Sequence, residues 1–515
     1  MHWILSFLLV VLSGAALHTR AAESLAQRLD GLDPFVEELL ALSLVPGAAV
    51  AVVAGDSPPV VRGYGRRIAG GEVDVDGDTI FAIGSMTKHF TATALGLLVT
   101  EQKLRWDDPL ARHLPGLRFS DPYLTANLSV EDALSHRSGL ARADLFWFAR
   151  PGLARDEMMA AIEHLPQEQA FRASYLYNNF LYLAAGQLIP QLAGASWDEF
   201  VQARLLQPLA MHRSGSSLAA LEQLSNVAQP HYLTPTSAVT TRYFDLAHVA
   251  PAGALYSSAT DMATWCQAQL WPEEAEQQVP GLVSAMQATR EPRNFMPLDV
   301  AARTGNRYKS YTLGLERMNY GDQNTVYTHG GAIQGMASNI AFIPDAGVCV
   351  AVLTNGETGS GVRYDITRWV LDRLLGLAPA DYRSEFLDNL HQRRERYRGA
   401  GQLHAASHDP AATPAVPSEA LVGRYRHPLY GEMSVALESG ALRTQYGTAF
   451  RGELRPHGGI TFDVLPDDPV RRQVSPAPFS LSVSTEKSGA VESVLLQMPG
   501  PQREGIRFQR VESPQ

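Results

Sequence analysis

The hydropathy pattern of this 515-residue chain changes character once, and that change limits what it can fold into. Beyond Ala420 the pattern is purely β. Short alternating runs follow one another: Val422-Gly-Arg-Tyr-Arg, Gly431-Glu-Met-Ser-Val-Ala-Leu, Ala441-Leu-Arg-Thr-Gln-Tyr, Phe450-Arg-Gly-Glu-Leu, Ile460-Thr-Phe-Asp-Val, Phe479-Ser-Leu-Ser-Val, Val491-Glu-Ser-Val-Leu-Leu and Ile506-Arg-Phe-Gln-Arg-Val. Glu438-Ser-Gly440 and Lys487-Ser-Gly489 are hairpin turns between them. Seven or eight such strands make a small antiparallel barrel or sandwich. Upstream, strand-like Ala48–Val53 and Gly347–Asn355 bracket a long region of helical patterns, the signature of an α/β unit whose sheet is closed by its two ends. The stretch 401–420, rich in Ala, Pro, His and Ser, reads as a linker, preceded by a charged, largely solvated helix over 385–398.

Within the α/β part, Ser85-Met-Thr-Lys88 opens an apolar run, Thr91-Ala-Thr-Ala-Leu-Gly-Leu-Leu-Val99, that reads as a buried helix over 85–104. Residues three apart share a helix face, so a hydroxyl and an amine stand side by side. Serine is a weak nucleophile until a base stands beside it, and a lysine becomes that base when burial lowers its pKa. The chain has four lysines, Lys88, Lys103, Lys309 and Lys487, and otherwise carries its basic charge on arginine, which cannot deprotonate. The alternative role for Ser85 is a helix cap beside a lysine reaching for solvent. A second copy, Ser484-Thr-Glu-Lys487, lies in an alternating run where i and i+3 face opposite ways, and reads as a hairpin end.

Two further segments carry chemistry. Tyr177-Asn-Asn179 places a phenol and an amide before a helical run. A phenol near a lysine can exchange protons with it, and the amide can orient a substrate carbonyl or the lysine. A capped turn is the plainer reading. His329-Gly-Gly331-Ala332 precedes a strand pair; its glycines admit close backbone approach, and a backbone N–H there could pair with that of Ser85 as an oxyanion hole. Otherwise it is a glycine turn bearing a histidine.

Together these motifs resemble the serine penicillin-recognising enzymes, in particular the class C β-lactamase, esterase and D-aminopeptidase branch. Leu134-Ser-His-Arg-Ser-Gly-Leu140, Leu206-Gln-Pro-Leu-Ala-Met211, Pro251-Ala-Gly-Ala-Leu-Tyr-Ser257 and Tyr311-Thr-Leu-Gly-Leu315 extend the likeness over about residues 25–375. The resemblance implies a β-lactamase/transpeptidase-like α/β (α+β) domain over 22–378, with an antiparallel sheet flanked by helices and an all-helical subdomain. It then implies a helix and linker over 379–420, and a lipocalin-like antiparallel β-barrel over 421–515, suggested by Tyr430-Gly-Glu-Met-Ser-Val435 and Gly458-Gly-Ile-Thr-Phe-Asp463. That barrel would sit near the active-site mouth or form an oligomerisation surface. Ser85 would attack a carbonyl, Lys88 take or relay its proton, and Tyr177 serve the leaving group and the deacylating water. Asn179 and His329 would contact substrate, and the N–H groups of Ser85 and Ala332, beside Gly331, would bind the oxyanion. No metal or organic cofactor is expected.

Two departures bear on the substrate. Asn178 stands where the family has a small residue, a change that would alter the pocket but not the chemistry. His329 replaces a lysine and removes a permanent cation. The balance then favours ester or peptide-amide substrates over β-lactams, with a β-lactamase or D,D-peptidase as the alternative. A non-catalytic binder of peptidoglycan fragments is the alternative from another class, and a ligand-holding barrel is a third. Phe146-Trp-Phe148 either lines an acyl pocket or packs in the core.

The net charge of −10 argues for solubility and against nucleic-acid partners, leaving a small-molecule substrate and a possible homo-oligomer. Met1–Ala21 reads as a secretory signal, with cleavage after Ala21 or at Gly14-Ala-Ala16, and no later run is long enough for a stable membrane anchor. A periplasmic or extracellular location is expected. Cys266 and Cys349 are the two cysteines, expected as buried thiols with a disulfide as the alternative.

Overall fold

The computed structural model describes residues 23–298, 307–356, 361–408, 414–475, 477–498 and 505–511. The expected signal, 1–21, lies outside the described residues. Among those described, no helix is long and apolar enough to cross a membrane.

The body is built on an antiparallel sheet of eight strands: β1 (Gly47–Ala54), β2 (Val60–Gly65), β3 (Asn294–Phe295), β4 (Lys309–Tyr311), β5 (Glu316–Tyr320), β6 (Asn324–Ile333), β7 (Met336–Ile343) and β8 (Val348–Thr354), in the order β2-β1-β8-β7-β6-β5-β4-β3. The two ends of the region do meet, β1 pairing with β8 from Ala48↔Thr354 to Ala54↔Val348. Period-two alternation then sorts side chains to two cores. Ala49, Ala51 and Val53 of β1 and Cys349, Ala351 and Leu353 of β8 face one, while Ala48, Val50 and Val52 and Val348, Val350 and Val352 face the other. Both faces are covered, so the strands read as continuous apolar runs.

Over one face lie helices α1 (Leu32–Ser43) and α6 (Val362–Leu374), the latter touching α7 (Tyr382–Ser407). Over the other lie α2 (Thr87–Thr100), α4 (Asn179–Gly186) and α5 (Ala259–Leu270), with short α3 (Leu145–Phe148) beyond. Every residue of α2 from Thr87 to Leu98 is buried, as a helix without a polar face requires. Phe146 and Trp147 of α3 are core residues, with Phe148 partly buried against them, which agrees with the packing alternative.

Three expectations change. Cys266 of α5 and Cys349 of β8 are joined by a disulfide, with Cα atoms 5.6 Å apart, because α5 packs directly on β8. The linker begins later than composition suggests, since α7 continues to Ser407. It is otherwise as expected, with only Phe386 and Leu390 buried. The helix over 85–104 is a 3₁₀ turn, Gly84–Met86, followed by α2 to Thr100.

The C-terminal strands form a closed barrel: β9 (Gly423–His427), β10 (Gly431–Glu438), β11 (Ala441–Tyr446), β12 (Phe450–Gly458), β13 (Thr461–Pro466), β14 (Phe479–Thr485), β15 (Val491–Gln497) and β16 (Ile506–Arg510). Closure comes from Tyr425↔Arg510 and Arg426↔Gln509. Tyr425, Met433, Tyr446, Phe462, Leu481 and Phe508 cluster as a core, so side chains fill the interior. The Ser484–Lys487 copy sits at the end of β14, a hairpin end as expected.

The barrel docks on the segment after α3. The Ala149 carbonyl accepts from Thr448 N (3.0 Å) and Ala449 N (3.1 Å), and the Arg150 guanidinium donates to Tyr430 O and lies 5.3 Å from the centroid of the Tyr446 ring. Gly447, at φ +61°, has no room for a side chain: a Cβ would lie 2.1 Å from Ala149 O.

Candidate active site

Ser85 sits in the tight turn that leads into α2; two contacts hold that turn against the sheet and a third braces it internally. Gly84 adopts φ +52°, and a Cβ there would lie 2.7 Å from Ala332 N. Ser338 Oγ of β7 donates to Ile83 O (2.7 Å), and Thr87 Oγ1 donates to Gly84 O (2.7 Å). Pairing between β5 and β6 ends at Thr328↔Glu316, so the β6 edge beyond His329 is left open toward this turn. Gly331, buried, lets the strands close up: its missing side chain would meet Ile83 O at 1.8 Å.

Lys88, one helical turn on, is wholly buried. Its Nζ donates to Asn179 Oδ1 (2.8 Å) and Ala252 O (2.7 Å) and lies 3.3 Å from Ser85 Oγ. Burial pushes its pKa well below the usual lysine value; the Arg142 guanidinium adds to the effect and the Asp144 carboxylate opposes it. A neutral amine has two N–H bonds and one lone pair. Two acceptors take the N–H bonds, so the lone pair is left for the Ser85 hydroxyl.

Tyr177 OH donates to Ser85 Oγ from the other side (2.8 Å). Burial raises its pKa, while the Ser85 hydrogen bond and the Arg142 charge work against the rise. The phenol is therefore protonated at rest. The segment that presents it is fixed from below. His136 Nδ1 accepts from Asn178 N (3.0 Å); Asn178 Oδ1 caps α4 through Leu181 N (3.1 Å), and its Nδ2 donates to Ala141 O (2.7 Å). Asn178 is fully buried and acts as a helix cap. Asn179 bridges Lys88 and Asp144, its Nδ2 lying 3.0 Å from Asp144 Oδ1, and so orients the lysine.

His329 lies beside this group with both ring nitrogens engaged. Nδ1 meets the Gly330 carbonyl (2.7 Å), which can only accept, so Nδ1 carries the proton and Nε2 accepts from Tyr311 OH (2.8 Å). Burial, with Lys88 nearby, pushes its pKa down to about 3. The ring is therefore neutral, and His329 places no permanent cation at this position. Sequence reading missed a cation that flanks the site. Arg142, its side chain 57% exposed, is paired with Asp144 Oδ2 and lies 4.9 Å from the Tyr177 ring centroid. Asp144 also accepts from Trp147 Nε1 (3.1 Å), so α3, against which the barrel docks, holds it in place. No periodic pattern marks Arg142 or Asp144; Trp147, three residues after Asp144, was the one local cue.

Buried neutral histidines make stability pH-dependent. An unfolded histidine titrates near about 6.5, whereas folded His329 stays neutral down to about 3. Between these values the unfolded chain binds a proton that the folded chain refuses, so stability falls as pH falls. Each such group contributes about 1.4 kcal/mol per pH unit. His89 and His136, likewise pushed well down by burial, act with the same sign. Urea midpoints measured from pH 7 to pH 4.5 should therefore drop steeply below about pH 6.5. A flat profile would mean that these rings accept protons without unfolding.

The comparisons with known proteins agree with the geometry. A family model described as Beta-lactamase matches residues 32–374, and one described as a domain of unknown function, DUF3471, matches 407–510. An unguisins hydrolase of Aspergillus campestris is 28% identical over 432 residues, 79% of this chain and 78% of that protein. Penicillin-binding protein 4 of Amycolatopsis lactamdurans is 28% identical over 351 residues, covering 65% of this chain and 87% of its own length. Among solved structures, the octameric penicillin-binding protein homologue from Pyrococcus abyssi superposes with a TM-score of 0.59 at 21% identity, over 93% of this chain and 99% of that one. With the family model spanning well over half of its length and the sheet, helices and Ser85–Lys88 turn arranged as described, the chain belongs to the beta-lactamase family.

Proposed function

We propose that this protein is an exported serine hydrolase that cleaves an ester or peptide-amide bond through an acyl-enzyme on Ser85. The observation that carries the reading is the position of Ser85 Oγ between a buried amine whose N–H bonds are already used and a phenol at 2.8 Å. A cap with a solvent-seeking lysine would not bury the lysine completely.

In the proposed reaction Ser85 Oγ attacks the carbonyl carbon as its proton passes to Lys88 Nζ. The oxyanion is bound by the N–H groups of Ser85 and Ala332. Tyr177 gives its proton to the departing oxygen or nitrogen and recovers one from Lys88, so the leaving group departs neutral and the acyl-enzyme remains. A water attacks the acyl carbon as Tyr177 takes its proton and hands its own to the neutral Lys88 amine, and Ser85 leaves with a proton returned from Lys88. Asn179 and Asp144 keep the amine aimed, and Arg142 favours the transient phenolate.

The neutral His329 supports esters and peptide amides over substrates that need a fixed cation at that position. The relative named as an unguisins hydrolase supports hydrolysis, and the penicillin-binding relative keeps cell-wall peptides and β-lactams in the screen. Export is supported by the Met1–Ala21 pattern and by the Cys266–Cys349 bond, since disulfides persist in oxidising compartments.

The test is intact-mass spectrometry of folded protein treated with a fluorophosphonate, beside Ser85→Ala. One adduct on the wild type and none on the variant is the expected result. Esters, D-amino-acid amides and β-lactams would then be screened. Absence of an adduct on folded wild type would move the protein to the binding class.

A further inference from the structure

Away from Ser85, three histidines converge on one carboxylate where α7 meets the barrel. Asp463 of β13 points outward from the barrel, yet its side chain is only 7% exposed because the end of α7 covers it. His404 Nε2 lies 2.9 Å from Asp463 Oδ1, and His457 Nδ1 of β12 lies 3.2 Å from the same oxygen. The ligand atoms of His404, His457 and Asp463 all lie within 4.8 Å of one another. His408, one turn beyond His404, brings Nδ1 to 3.8 Å from Asp463 Oδ2.

We propose that His404, His457 and Asp463, completed by His408, bind one divalent transition-metal ion of the zinc type and so clamp α7 to the barrel.

Four observations carry this. The donor set is imidazole-rich with one carboxylate, which suits zinc rather than calcium or magnesium. Bonds of about 2.0–2.1 Å arranged tetrahedrally put ligand atoms about 3.3 Å apart, close to the two shorter separations here. The register of β12 against β13 slips between Pro456 and Gly458, so His457 is the bulged residue, and a bulge re-aims a side chain. Finally, without a metal the group is poorly satisfied. His408 Nδ1 is buried and has no hydrogen-bond partner, and three rings compete for one carboxylate. A metal accepts a lone pair from each. The far nitrogen of His457 is 3.0 Å from Ser407 Oγ, the outer hydrogen bond that commonly orients a ligating ring. With four protein donors the site is closed, which makes it structural rather than catalytic.

The test uses the full chain, without a histidine tag, stripped by a chelator and titrated with Zn²⁺ and, separately, Co²⁺. Elemental analysis after dialysis is expected to give one zinc per chain, with a higher melting temperature, and the cobalt form a tetrahedral visible spectrum. His457→Gln and His404→Gln should each weaken zinc binding at least tenfold, since losing even an outer hydrogen-bond partner of a ligand costs about 10–100-fold. Fluorophosphonate labelling of Ser85 should stay unchanged. Because His404 lies at the surface end of α7, its substitution leaves the barrel core untouched, and circular dichroism of the metal-free variants checks the fold. No stoichiometric zinc at micromolar concentration, or zinc held equally well by both variants, would overturn the proposal and leave a hydrogen-bonded His–Asp cluster.

Discussion

Lys88→Met is expected to lower the rate of fluorophosphonate labelling of Ser85, and of hydrolysis of a p-nitrophenyl ester, by about 10⁴–10⁶-fold, the range found when a nucleophile loses its base. Methionine has nearly the length and shape of the lysine stem, so the helix packing around α2 is kept. What disappears is the lone pair 3.3 Å from Ser85 Oγ. Two acceptors, Asn179 Oδ1 and Ala252 O, lose their donor, which costs about 1–3 kcal/mol each. Removing an amine that burial already disfavours offsets part of that cost. The protein should stay folded, with a melting temperature within several degrees of wild type. Because nucleophile and base act as a unit, Ser85→Ala combined with Lys88→Met should be hardly slower than either alone. Lys88→Arg sharpens the point, since a guanidinium supplies a permanent charge but cannot act as a base. If it retains more than about a tenth of the rate, Lys88 contributes charge rather than proton transfer, and the relay has to start at Tyr177.

The parts of this site that were legible in the sequence are those whose geometry is local. Ser85 and Lys88 are three residues apart, and the apolar run behind them announces a buried helix, so their contact follows from helical spacing alone. Tyr177, Asn179 and His329 were legible only as motifs; what each touches depends on contacts spanning 18 to 92 residues in sequence. Arg142 and Asp144 had no such handle. They lie on a loop without periodicity, and their role arises because α3 and the barrel pin that loop beside Tyr177. The disulfide was misread for a related reason. Two cysteines 83 residues apart meet only once α5 is laid on β8, and nothing local encodes that packing. Alternation revealed the barrel strands one by one, but barrel and sandwich differ only in the β9–β16 pairing, which joins the two ends of that region. The linker reading went wrong at its start because Gly399 and Gly401 argue against a helix, while the alanines beside them, strong helix formers, argue for one. The barrel continues the helix by giving His404 a partner in Asp463.

Gly331→Ala should be the most damaging glycine-to-alanine change among the described residues. Its Cβ would lie 1.8 Å from Ile83 O and 2.2 Å from Ser338 Oγ, closer than real side chains approach. Ser338 cannot simply rotate away, because its hydroxyl is donating to that same Ile83 carbonyl at 2.7 Å. Either β6 moves off the sheet or the turn bearing Ser85 moves off β6. Both outcomes separate the N–H of Ala332 from that of Ser85. Loss of one oxyanion donor costs about 10²–10³-fold in kcat, and the overpacking adds about 1–3 kcal/mol of destabilisation. Gly330→Ala is the internal control. Residue 330 faces the other side of the sheet, where the new methyl meets Tyr364 OH at 2.5 Å. Tyr364 is 49% exposed and its ring can swing outward, so labelling of Ser85 should change by less than a few-fold. The comparison isolates position from composition: the same methyl, one residue apart on one strand, with opposite consequences. Should Gly331→Ala label Ser85 within tenfold of wild type and melt alike, β6 is not clamped to the serine turn. The Ala332 N–H would then have no part in holding the oxyanion, and that donor would have to be sought elsewhere.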